Sequence, residues 1–129
     1  MTPQEDENRR LLRVRDAMDR HYAEALDVAA LARLACMSQS HFSRRFKVVF
    51  GETPHRYLQR RRVERSMAML RDTRAPVTEV AMAVGFTSLG TFSRTFREIV
   101  GRSPRDYRSQ AVSPAVPGCA IRSWMRPVN

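Results

Sequence analysis

An internal repeat constrains the fold of this chain more than any other feature. At an offset of fifty residues, seven of sixteen positions are identical. The identical pairs are Phe42/Phe92, Ser43/Ser93, Arg44/Arg94, Phe46/Phe96, Gly51/Gly101, Pro54/Pro104 and Tyr57/Tyr107. Closer to the N-terminus the offset is 49, as in the pairs Ala32/Ala81 and Met37/Phe86. The repeat predicts that one supersecondary unit is built twice, with one extra residue in the turn of the second copy.

The second copy, residues 80–107, predicts a helix-turn-helix. A short helix ends near Gly85, the residue type that most easily takes the left-handed conformation of a tight turn. A longer helix follows over about 89–100, with Ser88 as its N-cap and Gly101 at its end. Its apolar face at helical spacing holds Phe92, Phe96, Ile99 and Val100. Its opposite face is small, polar or cationic and holds Gly90, Thr91, Arg94 and Arg97, with Glu98 alongside. A helix with these two faces is typical of one that reads a DNA groove.

The first copy has the same pattern. Asp27 is the expected N-cap of a short helix over Val28–Ala35, and residues 36–38 form the turn. A helix over about Gln39–Phe50 then carries Ser40, Arg44 and Lys47 opposite its apolar face.

Cys36 stands where the second copy has Gly85. If that place requires a positive φ, a side chain there costs roughly 1 kcal/mol. The simpler interpretation is an unreactive small residue, partly buried under Met37.

The rest of the chain predicts an all-α fold with about seven helices, in which a long linker helix joins two helix-turn-helix subdomains. Residues 1–7 are expected to be disordered, and apolar spacing predicts a first helix over about Asn8–Ala25. The expected segments after it are a first unit at 27–51, a linker helix at 54–71, a second unit at 76–101, a short helix at 103–108 and a flexible tail at 109–129.

The formal charge of +10 and the pI near 11.2 indicate a polyanionic partner. The run Arg60–Arg62 in the linker helix is open to two interpretations, a solvated face or a contact with the phosphate backbone. Cys36 and Cys119 form no CxxC pair, and the three histidines are scattered, so neither a metal site nor a cofactor is predicted. No signal peptide or membrane-length apolar run is present, which indicates a cytoplasmic protein.

Both copies carry residues typical of a known family, and the second matches the signature of that family closely, whereas Cys36 replaces the usual glycine in the turn of the first. The segments are LARLACMSQSHFSRRFKVVFGETPHRYL and VTEVAMAVGFTSLGTFSRTFREIVGRSPRDYR. They resemble the DNA-binding domain of the AraC/XylS family of bacterial transcription regulators, over about residues 8–108. In size the chain is similar to stand-alone members of the MarA and SoxS type.

The resemblance implies that the third and sixth helices enter successive major-groove segments of double-stranded DNA. It implies base contacts at Ser40, Ser43 and Arg44, and at Leu89, Gly90, Thr91 and Arg94. With neighbouring positions, the predicted DNA-binding residues are Ser38, Gln39, Ser40, Ser43, Arg44, Lys47, Leu89, Gly90, Thr91, Arg94 and Arg97. The further expectations are a monomer on DNA, contact with RNA polymerase as an activator, association with the nucleoid, and no membrane partner.

Two other function classes stay open at this point. A basic helical interaction module would bind an acidic protein or a membrane surface without sequence preference. An enzyme, such as an alkyl-transfer repair protein using Cys36 or Cys119, would need an activated thiol, and no base lies near either cysteine in the sequence. The expectation is therefore that the protein is not an enzyme.

Overall fold

The computed structural model describes residues 1–111, and within this range the regular secondary structure consists of α-helices, with no strand. The helices are α1 (Pro3–Arg20), α2 (Val28–Leu34), α3 (Gln39–Phe50), α4 (Pro54–Asp72), α5 (Val77–Ala83), α6 (Leu89–Val100) and α7 (Pro104–Ala111). The prediction of an all-α fold with seven helices is confirmed. The chain divides within α4, between Arg61 and Arg62, into two compact units, and each is described by itself.

The N-terminus of the first unit corrects a prediction, because residues 1–7 are not disordered. Helix α1 begins at Pro3 with a capping box, in which the Thr2 hydroxyl accepts a hydrogen bond from the Glu5 amide and the Glu5 carboxylate accepts one from the Thr2 amide. Proline at the first helical position has no amide hydrogen to satisfy, so it favours this start. Helix α1 ends at Arg20, before the predicted Ala25, because His21 leaves the helical region at φ −117°.

The core of the first unit lies where α1, α2, α3 and the start of α4 meet. The fully buried side chains include Leu11, Val14, Met18, Leu31, Phe42 and Phe46. Aromatic rings stack around Phe46, whose centroid lies 5.7 Å from that of Phe42, 4.5 Å from that of Phe50 and 5.7 Å from that of Tyr57. Tyr57 also donates a hydrogen bond of 2.7 Å to Asp19, which ties α4 to α1. Burial, together with this hydrogen bond, raises the pKa of the Tyr57 hydroxyl well above its ordinary value.

The second unit repeats this core with its own residues. Val63, Leu70, Val80, Phe92, Phe96 and Tyr107 are fully buried. Phe96 lies 5.6 Å from Phe92 and 5.7 Å from Tyr107 between ring centroids, and Phe92 lies 5.2 Å from Phe86. The aromatic pairs of the sequence repeat are thus the packing contacts of each unit.

Both turns of the repeat are Schellman motifs, in which the chain leaves a helix through a left-handed residue. In the first, the Cys36 amide donates to the Arg33 carbonyl and the Met37 amide donates to the Ala32 carbonyl. The second has the equivalent pair of bonds after α5, with Gly85 at φ 105°. Cys36 has φ 57°, so the left-handed position inferred from the repeat is confirmed. The interpretation of a partly buried thiol is wrong, because Cys36 is exposed.

Two of the three arginines in the run Arg60–Arg62 form ion pairs within the chain, so neither a solvated face nor a phosphate contact describes them. Arg60 forms a 2.7 Å ion pair with Glu52, and Arg61 forms one of 3.0 Å with Asp19. Arg62 is half-buried, and desolvation lowers the pKa of its guanidinium. These side chains therefore contribute to the packing of α4 within the chain.

Helix α7 extends to Ala111, so residues 109–111 are helical rather than part of a flexible tail. Its start is capped by Ser103, which accepts a hydrogen bond from the Asp106 amide. Arg108 donates to the carbonyl of Leu70 at the end of α4, and this bond holds α7 in place. The predicted tail from 112 to 129, including Cys119, lies outside the described residues. Within residues 1–111 no helix has an apolar stretch long enough to cross a bilayer.

Candidate nucleic-acid interface

Helix α3 is anchored on one side and open on the other. Ser38 caps its first turn by accepting a hydrogen bond of 3.2 Å from the His41 amide, and Gly51 ends it at φ 82°. Phe42 and Phe46 are fully buried and fix the inner face. The predicted DNA-binding residues lie on the outer face: Ser38, Gln39, Ser40, Arg44 and Lys47 are exposed, and Ser43 is half-buried.

Helix α6 has the same construction. The Ser88 hydroxyl accepts from the Thr91 amide at 3.2 Å and donates to the Thr91 hydroxyl at 2.9 Å, and Gly101 ends the helix at φ 91°. The inner face consists of Phe92, Thr95 and Phe96, all of them buried. Of the predicted residues, Leu89, Gly90, Arg94 and Arg97 are exposed and Thr91 is half-buried.

The middle of α6 carries a shallow surface groove of about 290 Å³, lined by Ser93, Arg94, Arg97 and Glu98. Ser93 was not among the predicted site residues. The repeat could have identified it, because it pairs Ser93 with the predicted Ser43. Both serines are half-buried, and each is followed by an exposed arginine. The two helices therefore present the same pair of neighbouring side chains, serine and arginine.

These outer faces carry cationic side chains, and on α6 the exposed Glu98 lines the same groove as Arg94 and Arg97. In residues 1–111 no intramolecular hydrogen bond or ion pair occupies the side chains of Arg44, Lys47, Arg94 or Arg97. Other arginines of the chain are paired, as Arg60 is with Glu52. Exposed cations without intramolecular partners are available for phosphates or base edges.

Gly90 leaves the first turn of α6 bare. A Cβ at this position would meet no atom within 4 Å, and the backbone is helical rather than left-handed. The equivalent position in α3 is Ser40, which offers a hydroxyl. The two outer faces thus share their arginines but differ in their first turns.

Side chains of helix α1 contact the turn between α2 and α3 and also contact α3 itself. Arg10 donates from Nη1 to the Ala35 carbonyl at 2.6 Å and to the Cys36 carbonyl at 3.2 Å. Its Nε contacts the Asp6 carboxylate at 3.1 Å. Glu7 accepts a 2.7 Å hydrogen bond from His41 and lies 3.4 Å from Arg45 Nε.

Comparison with known proteins decides the family. A family model described as "Helix-turn-helix domain" matches residues 31–110. Regulatory protein SoxS of Escherichia coli K12 is 34% identical over 91 residues, which are 70% of this chain and 85% of SoxS. A putative AraC-like transcription regulator of Streptomyces antibioticus is 37% identical over 91 residues, 70% of this chain and 30% of that protein. The chain belongs to the AraC family of transcription regulators.

Solved structures agree with this AraC-family assignment. The DNA-binding domain of AdpA, solved in complex with a target DNA, is 34% identical with a TM-score of 0.77, covering 83% of this chain and 98% of that one. An AraC-type regulator from Chromobacterium violaceum is 27% identical with a TM-score of 0.74, covering 84% and 96%. The chain spans 37% of the length of the probable regulator LumQ of Photobacterium leiognathi and 30% of the Streptomyces antibioticus protein.

Proposed function

We propose that this chain is a sequence-specific, double-stranded DNA-binding transcription regulator that reads successive major-groove segments with α3 and α6. The observation that carries the proposal is the pair of capped helices, each with buried phenylalanines on its inner face and, within residues 1–111, exposed cations without an intramolecular partner on its outer face. Arginine's planar fork suits guanine edges and phosphates, and the small side chains beside it permit close approach to the groove. The target DNA in the AdpA structure supports the same ligand class for this chain.

The proposed division of roles follows exposure and chemistry. We call the outer face of α3 the first patch and the outer face of α6 the second patch. Arg44 and Arg94 read bases, and Lys47 and Arg97 contact phosphates. Ser40 and Ser43 add hydrogen bonds in the first patch. In the second patch Leu89 offers only apolar contact, for example to a thymine methyl, and Gly90 offers none. Ser38 and Gln39 lie at the start of α3, where amides face a nearby phosphate.

One chain carries two unlike reading helices, so the proposed complex is a monomer on an asymmetric site. A dimer with one reading helix per subunit would instead require a palindrome. Binding to genomic DNA would take place in the cytoplasm, on the nucleoid. We further propose that the bound protein activates transcription through contact with RNA polymerase, as the resemblance to stand-alone members of the family implies.

The test is selection of bound fragments from a random DNA pool, followed by affinity measurements on the best site. Arg44→Ala should relax base preference in one patch and Arg94→Ala in the other, each at a cost of about 1–3 kcal/mol on the best site and much less on random DNA. The matched control is Arg13→Ala, which removes one charge from the exposed side of α1. Palindromic selected sites or two chains per minimal site would contradict the monomer. Binding without base preference would favour an interaction module instead.

A further inference from the structure

Helix α3 and the turn before it are contacted by two side chains of α1, Arg10 and Glu7, which lie about one helical turn apart. Arg10 bonds two successive carbonyls, those of Ala35 and Cys36, at the point where the chain leaves α2. These carbonyls lie at the negative end of a helix, where a guanidinium makes charge-assisted hydrogen bonds. Arg10 is itself oriented by Asp6, four residues earlier on α1. The turn before α3 is thus bonded to α1 as well as to its own helix.

Glu7 contacts the reading helix directly. Its carboxylate bonds His41 at 2.7 Å and approaches Arg45 at 3.4 Å, and these two residues are one turn apart on α3. The hydrogen bond from His41 lowers the pKa of the Glu7 carboxyl, against the opposing effect of desolvation. The side chains of Glu7 and Arg45 are only 25% and 22% exposed, so water screens this contact less than an open surface pair.

We propose that Arg10 and Glu7 are positioning residues for DNA reading: they fix the turn before α3 and the rotation of α3 about its axis, and so set base preference in the first patch without touching DNA. This inference rests on the proposed function. His41 and Arg45 are the direct neighbours of the reading residues Ser40 and Arg44. Because successive residues lie about 100° apart around a helix, holding one neighbour fixes the direction of the other.

Among the described residues of the second unit, no side chain of another helix makes an equivalent contact at the corresponding positions of α6. The repeat pairs His41 with Thr91 and Arg45 with Thr95. Thr91 bonds Ser88 within its own N-cap, and Thr95 is a short side chain in the core. The effect of Arg10 and Glu7 is therefore confined to the patch that α3 reads.

The experiment measures, separately for each patch, how strongly the protein prefers the selected bases over altered ones. The best selected site is compared with two altered sites, one with changed bases in the first patch and one with changed bases in the second. Arg10→Gln and Glu7→Gln should each lower discrimination in the first patch by roughly three- to tenfold, a fraction of what one bidentate base contact contributes. Discrimination in the second patch should stay at the wild-type value.

The controls match the charge changes. Arg9→Gln alters the exposed neighbour of Arg10, and Asp16→Asn removes an exposed carboxylate of α1. Both should leave discrimination in each patch unchanged. Asp6→Asn should give a smaller first-patch loss than Arg10→Gln, and should add nothing in the Arg10→Gln background, because Asp6 acts through Arg10.

The outcomes separate this inference from the proposed function. Wild-type protein without base preference would defeat the proposed function, and the positioning role with it. Wild-type preference that Arg10→Gln and Glu7→Gln both leave intact would overturn the positioning role alone. So would an equal loss in both patches at a matched folded fraction, because the substitution would then act on DNA binding as a whole and not on the first patch. If Arg10→Gln does not fold, Glu7→Gln and Asp6→Asn decide the question by the same measurements.

Discussion

Replacing Cys36 by glycine should stabilise the protein, although it removes a side chain. Cys36 is the one non-glycine residue with a positive φ in residues 1–111, at 57°. A side chain in this left-handed conformation brings Cβ close to the following carbonyl oxygen. The thiol is exposed, so little buried contact is lost with it. The bonds from Arg10 go to backbone carbonyls and remain available to glycine.

The magnitude is the difference of two opposing free energies. Relief of the left-handed strain contributes roughly 1–2 kcal/mol. The greater freedom of glycine in the unfolded chain takes back about 0.4–1 kcal/mol. We therefore expect Cys36→Gly to raise the free energy of unfolding by about 0.5–1 kcal/mol, or roughly 2–6 °C in the thermal midpoint.

Urea denaturation followed by circular dichroism measures this change, and two variants of the same residue isolate its cause. Cys36→Ala keeps Cβ and should gain little, whereas Cys36→Asn should gain a few tenths of a kcal/mol because asparagine tolerates this conformation. Gly85→Ala is the matched test in the second turn. It should destabilise by about 1–3 kcal/mol, because φ 105° lies beyond the left-handed region open to side chains.

A clear loss of stability in Cys36→Gly would refute this reasoning. It would mean that the cysteine side chain packs favourably enough to outweigh the strain. An equal gain in Cys36→Ala and Cys36→Gly would also refute it, because the effect would then come from the thiol and not from the backbone.

Three further predictions concern the salt dependence of DNA binding, the substitution of Gly90 in the first turn of α6, and the stability of the protein at acidic pH. The logarithm of the DNA affinity should fall with the logarithm of salt concentration at a slope of about −0.9 per phosphate contact, and a slope near zero would exclude nucleic acid. Gly90→Ala should raise the free energy of unfolding of the unbound protein by about 0.5–1 kcal/mol, whereas Gly101→Ala, equally open but at φ 91°, should lower it. The pKa of Glu7 is lowered from its ordinary 4.5 by the His41 hydrogen bond, so its stabilisation is present above about pH 4.5 and is lost as the pH falls through the lower folded value. The thermal midpoint of Glu7→Gln should therefore fall less steeply than that of the wild type below this pH, and parallel curves would contradict the assignment.

The fold was readable from the sequence because its signals are local and occur twice. Asp27 and Ser88 cap α2 and α6 where their side chains predicted, and Gly51 and Gly101 end α3 and α6. The start of α1 has local signals too, the capping box of Thr2 and Glu5 and the proline at the first helical position, but the polar composition of residues 1–7 predicts disorder instead.

Parts of the candidate site could not be read in the same way. Helical spacing tells which residues share a face, but it does not tell which polar side chain already has a partner. His41 lies on the reading helix yet bonds Glu7, thirty-four residues away in the sequence. Such long-range contacts depend on the packing of α1 against α3, and no periodicity within α3 reports them.

Exposure gives the identities of the repeat two different meanings. Phe42/Phe92 and Phe46/Phe96 are buried, and core packing by itself accounts for keeping the same ring in both copies. Arg44 and Arg94 are exposed, where most substitutions change stability by less than about 0.5 kcal/mol, so folding does not account for their identity. A shared task on an outside partner does account for it. Under the proposed function the two arginines make the common contact of both patches, and the unlike residues beside them, Ser40 against Gly90 among others, give one chain two different patches to read.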